Sequence, residues 1–230
     1  MKRTNVLTLF PFIALTLTSC VNGISKDEYE AKLSEVEANY ANITDVHINN
    51  RNNTTKYDYK EGEFYGYYNF ALIIFVPITQ GTYTWKDGDK YYHTEVHADS
   101  SKTKKSEISK EQFDTYMTAH KAKILSLMSE VTLKIHDFMQ ENPTTVSKAE
   151  NEYKYDSFNK EYHFYSKVVE TYQDSEGNPE KTDYFVSFKD QKLKEYHAKT
   201  GTSDSYRYFS YGDAKFNEPT MPDNNSSNNQ

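Results

Sequence analysis

A second cysteine is missing: Cys20 is the only one in 230 residues. No intrachain disulfide can form, so stability has to come from a packed core, which a chain of this length can bury. An excess of basic residues is missing too. Lys and Arg number 27 against 34 Asp and Glu, a formal charge of −7, and no basic stripe stands out. That excludes nucleic acid as a partner and a polybasic membrane-binding surface. Also absent are a Gly-x-Ser-x-Gly nucleophile elbow, a glycine-rich phosphate loop and a paired-cysteine metal knuckle. Carboxylates are plentiful but scattered, and nominate no acid–base pair. No enzyme, cofactor or metal site is therefore expected. Leucine is scarce while tyrosine reaches 21, so the core and its rim must be heavily aromatic.

What the N-terminus does contain is a positive start, Met1-Lys2-Arg3, an apolar run from Val6 to Leu17, and small residues after it. This is the pattern of a secretory signal, too short for a membrane span. Leu17-Thr18-Ser19-Cys20 closes it and resembles the bacterial lipobox. The resemblance implies cleavage between Ser19 and Cys20 and attachment of diacylglycerol to the Cys20 sulfur, with palmitate-like chains as the anchor. It places the chain on the extracytoplasmic face of a cell membrane. An ordinary signal beside a stray thiol is the alternative. At about 0.8 kcal/mol per buried methylene, two acyl chains hold a protein on a bilayer almost permanently. Removing residues 1–19 takes Lys2 and Arg3 with it and makes the remainder more acidic still. The expected division is residues 1–19 as leader, 20–24 as lipidated tether, 25–218 as one globular domain and 219–230 as a disordered tail. Fully extended, the tether reaches only about 14 to 18 Å.

Ser25-Lys-Asp-Glu28 is a capping box, followed by Tyr29, Leu33, Val36, Tyr40 and Ile43 in steps of four and three. This predicts a helix over about 26–42. The period then falls to two, with modest strands over Asp45–Asn53 and Thr54–Tyr59. The most apolar run of the mature chain, Phe64 to Val76, is apolar at even and odd positions alike. It reads as an internal strand covered on both faces or lining a cavity, with a bend or bulge near Gly66. A buried helix competes, but the β-branched and aromatic content, Gly66 and Pro77 favour strand. Thr82–Trp85 and Lys90–Ala98 form a hairpin about Lys86-Asp87-Gly88-Asp89, and residues 99–105 form a polar loop. Ser109-Lys-Glu-Gln112 opens a second helical stripe that runs from Phe113 to Phe138, before the stop at Asn142-Pro143. Its length allows one long helix or two consecutive ones. Strands resume from about Glu152 and continue to Tyr211. Ile24-Ser-Lys-Asp-Glu-Tyr29 echoes Ile108-Ser-Lys-Glu-Gln-Phe113. The echo records either a duplicated helix-plus-sheet unit or two capping boxes written in similar residues.

A lipobox, one helix, strands, a long helix and more strands resemble, in that order, the LolA/LolB and LppX/LprG-type lipoprotein-carrier fold. Trp85-Lys-Asp87-Gly88-Asp-Lys-Tyr91 is similar to a hairpin of such lipoproteins, and Tyr211-Gly212-Asp213 through Pro219 resembles their final edge strand. The resemblance implies an α+β fold: a curved antiparallel sheet or unclosed β-barrel wrapped around an N-terminal helix and a long central helix. It also implies a cavity for a lipid or other amphiphile between sheet and helices. Tyr68, Phe70, Leu72 and Ile74 on the doubly apolar run are the expected lining, unless the odd-numbered face lines it instead. A surface-adhesion or envelope-structural role without a small ligand is the second expectation. His93-Thr-Glu95-Val-His97 superficially suggests a metal site. Residues four apart on a strand lie about 13 Å from each other, too far for two imidazoles about 2 Å from one zinc. A solvated polar face is the expected reading. His120 and His136, about 24 Å apart along a helix, are expected to pack independently.

Overall fold

The computed structural model describes residues 21–50, 55–68, 79–97, 103–173 and 176–212. Ser19, Cys20, Phe70, Leu72, Ile74 and the 219–230 tail fall outside them. The strands are β1 (Val21–Gly23), β2 (Asp45–Asn50), β3 (Thr55–Lys60), β4 (Glu63–Tyr68), β5 (Thr79–Asp87), β6 (Lys90–His97) and β7 (Ser106–Ile108). After the long helix come β8 (Val146–Asp156), β9 (Glu161–Gln173), β10 (Pro179–Lys189), β11 (Lys192–Thr200) and β12 (Ser203–Ser210). All twelve join one sheet in the order β1-β8-β9-β10-β11-β12-β2-β3-β4-β5-β6-β7. Every neighbouring pair is antiparallel. The three-residue β1 and β7 form its edges, and strands that short offer little backbone to a foreign chain.

Helix α1 (Lys26–Asn39) and helix α2 (Lys110–Phe138) pack on the sheet. Both start on the serines indicated: Ser25 Oγ accepts from Glu28 N and Ser109 Oγ from Gln112 N, each at 3.1 Å, and at α2 alone the box is closed, Ser109 N donating to Gln112 Oε1 at 2.9 Å. The stripe of α1 buries Tyr29, Leu33 and Val36 completely, and a 3-10 turn (Tyr40–Asn42) continues it. Tyr29 meets Tyr153, Phe164 and Phe188, so α1 lies over β8 to β10. The long stripe is one unbroken α2 of 29 residues, about 43 Å at ~1.5 Å per residue. From β8 to β6 the sheet measures about 43 Å at ~4.8 Å per strand. The helix therefore crosses the strands, with Phe113 against Tyr91 of β6 at one end and Phe138 against Tyr184 of β10 at the other. Near the middle, Arg207 of β12 donates to Asn50 Oδ1 of β2, to the Leu127 carbonyl and to Glu130. That residue bolts α2 to the seam between β12 and β2.

The two halves repeat one order: a three-residue strand, a serine-capped helix, then a five-strand meander. The echoed hexapeptides hold equivalent places in the two halves.

Two expectations are corrected and one strand is added. Residues 21–23, expected as part of a tether, form β1: Val21, Asn22 and Gly23 pair with Asp156, Tyr155 and Lys154, and Ile24 N donates to the Tyr153 carbonyl at 3.0 Å. The chain is thus held against the sheet from Val21 onward. Residues 103–105, the described end of the expected polar loop, are irregular, and directly after them β7 pairs with β6, His93 opposite Ser106, a strand the sequence does not signal. Within the doubly apolar run, β4 ends at Tyr68 and residues 69–78 lie outside the described residues. Its described part is internal, between β3 and β5, with Phe64 and Tyr65 buried on opposite faces. The irregularity expected near Gly66 lies in the neighbouring strand, where the β5–β6 register shifts between Thr79 and Gly81.

Candidate functional site

Beneath the first half of α2, β4, β5 and β6 bring together residues far apart in the chain. Thr84 is fully buried. Its Oγ1 lies 2.8 Å from His93 Nδ1 on β6 and 3.1 Å from His120 Nε2 on α2. The two rings are stacked in turn: His120 on Phe64 at 3.8 Å and 9°, His93 on Tyr116 at 4.0 Å and 1°. A hydroxyl has one proton to give, so it donates to one imidazole and accepts from the N–H of the other. That arrangement suits two neutral rings. Burial lowers the His93 pKa against the opposing pull of Glu95. Burial, with His93 opposite, brings His120 down to about 4. The His93 side of β6 is therefore turned onto the helix, a correction to the solvated face expected for it, while Glu95 remains exposed. His136 binds Glu37 of α1 at 3.0 Å instead. Among the described residues, no group of three His, Cys, Asp or Glu could hold a metal ion.

The histidine pair makes stability depend on pH. An unfolded imidazole titrates near 6.5, so below that pH the unfolded chain takes up a proton that folded His120 refuses until about 4. This stabilisation is full above about pH 6.5 and is lost as the pH falls toward 4, by about 2 to 3 kcal/mol after allowance for partial exposure. His120→Phe, which keeps the stack on Phe64, should flatten that part of the profile. Urea unfolding at pH 7 and 4.5 measures it, and equal losses in variant and wild type would reject the assignment.

Beside this cluster, between β3 and α2, lies an open groove of about 550 Å³. Tyr59, Met117, Ala122 and Leu125 supply its apolar surface; Asp114, Thr118 and Lys121 supply polar groups. Lys121 Nζ also donates to the Ala41 carbonyl at 3.3 Å. The volume falls within the roughly 300–1,000 Å³ of small-molecule sites. Of the expected lining, Tyr68 is the last residue of β4, paired with Thr55, while Phe70, Leu72 and Ile74 lie outside the described residues. Met117 was visible in the sequence only as a member of the helical stripe, and Leu125 lies beside that stripe and was not singled out at all. Their role as a groove wall depends on where α2 crosses β3.

The opposite face of the sheet is organised differently. Glu150, Lys167, Asp183, Lys199 and Asp204 stand opposite one another in register across five strands, alternating in sign. Opposite charges in cross-strand positions fix the register. In the next row Tyr165, Phe185, His197 and Tyr206 form an aromatic ladder. A depression of about 490 Å³ over β8–β10 is lined by Glu150, Glu152, Lys167 and Asp183, with Tyr165 and Tyr184 among them. Mutually opposed charges make it a corrugation of the ladder, less suited to an apolar guest than the groove. Farther along this face, the Tyr83 and Trp85 rings stack at 4.4 Å and those of Trp85 and Tyr92 at 5.2 Å, with Lys105 Nζ over the Tyr92 ring at 3.8 Å.

Compared with protein-family models and with curated proteins, the chain matches none. Among the described residues, no helix is long and apolar enough to cross a membrane.

Proposed function

We propose that the chain is a lipid-anchored, extracytoplasmic binding protein, without catalysis, that holds an amphiphilic ligand between the sheet and α2. In this reading the sheet and helices form the unclosed barrel of the carriers the sequence resembles. The groove carries it: apolar Tyr59, Met117, Ala122 and Leu125 would take a hydrocarbon portion, and Lys121 at its side would take an anionic head. Cys20 supplies the membrane attachment, and no cofactor or nucleic acid is called for.

A fatty-acid-like fluorophore with a carboxylate head tests it on residues 21–230. Saturable binding at one site is expected. Leu125→Trp, which fills the groove, should weaken it by about tenfold or more, the ~1.4 kcal/mol of a lost contact, while the melting transition survives. Tight binding untouched by Leu125→Trp and Met117→Trp would move the site elsewhere. A second reading has its own observation. The aromatic ladder from Tyr165 to Tyr206 offers a binding surface outside any cavity, as a surface-adhesion lipoprotein would use. Absence of binding by any amphiphile would leave that reading standing.

A further inference from the structure

The pairing of β1 fixes where the N-terminus leaves the fold. Val21 stands opposite Asp156, the last residue of β8, so β1 begins at the end of the sheet where β8 turns into β9. That turn, Ser157–Lys160, carries Phe158 at its tip. Phe158 is 82% exposed, more than any other large hydrophobic residue described. The turn is firmly held. Asp156 Oδ1 accepts from Phe158 N at 2.9 Å and Asn159 N at 3.1 Å, and its Oδ2 accepts from Asn159 Nδ2 at 2.7 Å. Lys160 completes the turn in the left-handed region, at a φ of 56°. The ring is thus presented outward on a braced loop. Exposed Lys160 lies beside it, while the following acid, Glu161, is engaged by Lys194 and by His163.

One exposed phenylalanine on a protein surface is ordinary. Position distinguishes this one. Strands pair ~4.8 Å apart, and Phe158 is only two residues past Asp156, the partner of Val21, so the turn and the described start of the chain share one end of the sheet. We propose that the β8–β9 turn is a membrane-contact point, with Phe158 seated in the interfacial zone of the bilayer that holds the Cys20 lipid. This rests on the lipid-anchor reading above. Lys160 complements anionic headgroups at the same depth. A single ring could not hold a free protein on a membrane, but the anchor makes its contact intramolecular, at an effective concentration in the millimolar range. The ring therefore sets orientation. It points this end of the sheet at the bilayer and the β11–β12 turn, Gly201-Thr202, away from it.

Lipidated full-length protein, in vesicles of phosphatidylglycerol and phosphatidylcholine, tests the proposal. Cys20 is consumed by the lipid, so Phe158→Cys or Thr202→Cys adds one thiol for an environment-sensitive fluorophore. The label at 158 should shift to the blue on vesicles and be quenched several-fold more by headgroup-region nitroxide lipids than the label at 202. Equal quenching at both positions, in protein that remains on the vesicles, overturns the contact and leaves the anchor intact. If instead the wild-type chain distributes between membrane and soluble fractions as Cys20→Ala does, the anchor reading itself fails and the proposal with it.

Discussion

Gly81→Ala should cost about 3 kcal/mol or more, the upper end of what overpacking does, because the new methyl has nowhere to go. A Cβ built on Gly81 would lie 2.1 Å from the Gly66 carbonyl oxygen and 3.1 Å from its carbon and from the Tyr67 Cα. These are backbone atoms of the adjacent strand, so no side chain can swing aside. β4 and β5 would have to separate next to the register shift at Thr79–Gly81. Gly23→Ala is the control. It has nothing within 4 Å of its Cβ and should change stability by no more than about 0.5 kcal/mol. Chemical unfolding of both variants measures the difference, and equal midpoints would show that β4 and β5 do not approach as closely as described.

The second large effect is expected at Asp137, where α2 hands over to β8. Its Oδ1 accepts from Thr144 N at 2.7 Å and Thr144 Oγ1 at 2.5 Å; its Oδ2 accepts from Thr145 N at 3.0 Å and Thr145 Oγ1 at 2.5 Å. One carboxylate thus ties the last turn of the long helix to the two residues just before β8. Burial raises its pKa, but the two hydroxyls and two amides outweigh that and hold the carboxyl at about 2. Asp137→Ala removes four partners at once and strands two amides and two hydroxyls, a loss of about 3 to 4 kcal/mol. Asp137→Asn keeps acceptor capacity on one side and should lose about half of that. The sign of the pH effect follows from the lowered pKa. The carboxylate contributes fully above about pH 4 and loses its contribution as the pH falls toward 2, a window below that of His120. A variant in which Asp137→Ala melts like wild type at pH 7 would show that the turn is held by other contacts.

Legibility in the sequence varied with how local the cause was. α1 and α2 could be read because each carries its cap and its stripe within its own residues, and Tyr29, Leu33 and Val36 are buried as their spacing indicated. The Asp87-Gly88 hairpin was local in the same way. β1 could not be read. Val21-Asn22-Gly23 has no period, and only its pairing with β8 makes it a strand. β7 was hidden in a polar stretch for the same reason. β8 begins at Val146, earlier than expected, because Lys148, Glu150 and Glu152 look like loop composition, although they are the solvent-facing half of an alternating strand. The candidate site was least visible. Thr84, His93 and His120 belong to three elements, and nothing within any one of them announces the others. The groove needed the angle at which α2 crosses β3, which no periodicity encodes.

The strand order has a consequence for how the protein is made. Two of its pairings join early to late: β1 closes on β8, and β2 closes on β12, the last of the described strands. A chain emerging N-terminus first can zip the hairpins from β2 to β6 as they appear. Its first strand must wait, unpaired, until Asp156 has left the ribosome. The seam at the centre of the finished sheet is sealed only when Arg207 arrives to face Asn50. A chain arrested before Ser203 is therefore left with two detached sheets instead of one shortened sheet. Sequence-distant closures of this kind slow folding far more than they weaken the folded state. The β2 edge stays open to other chains until the final strand is delivered.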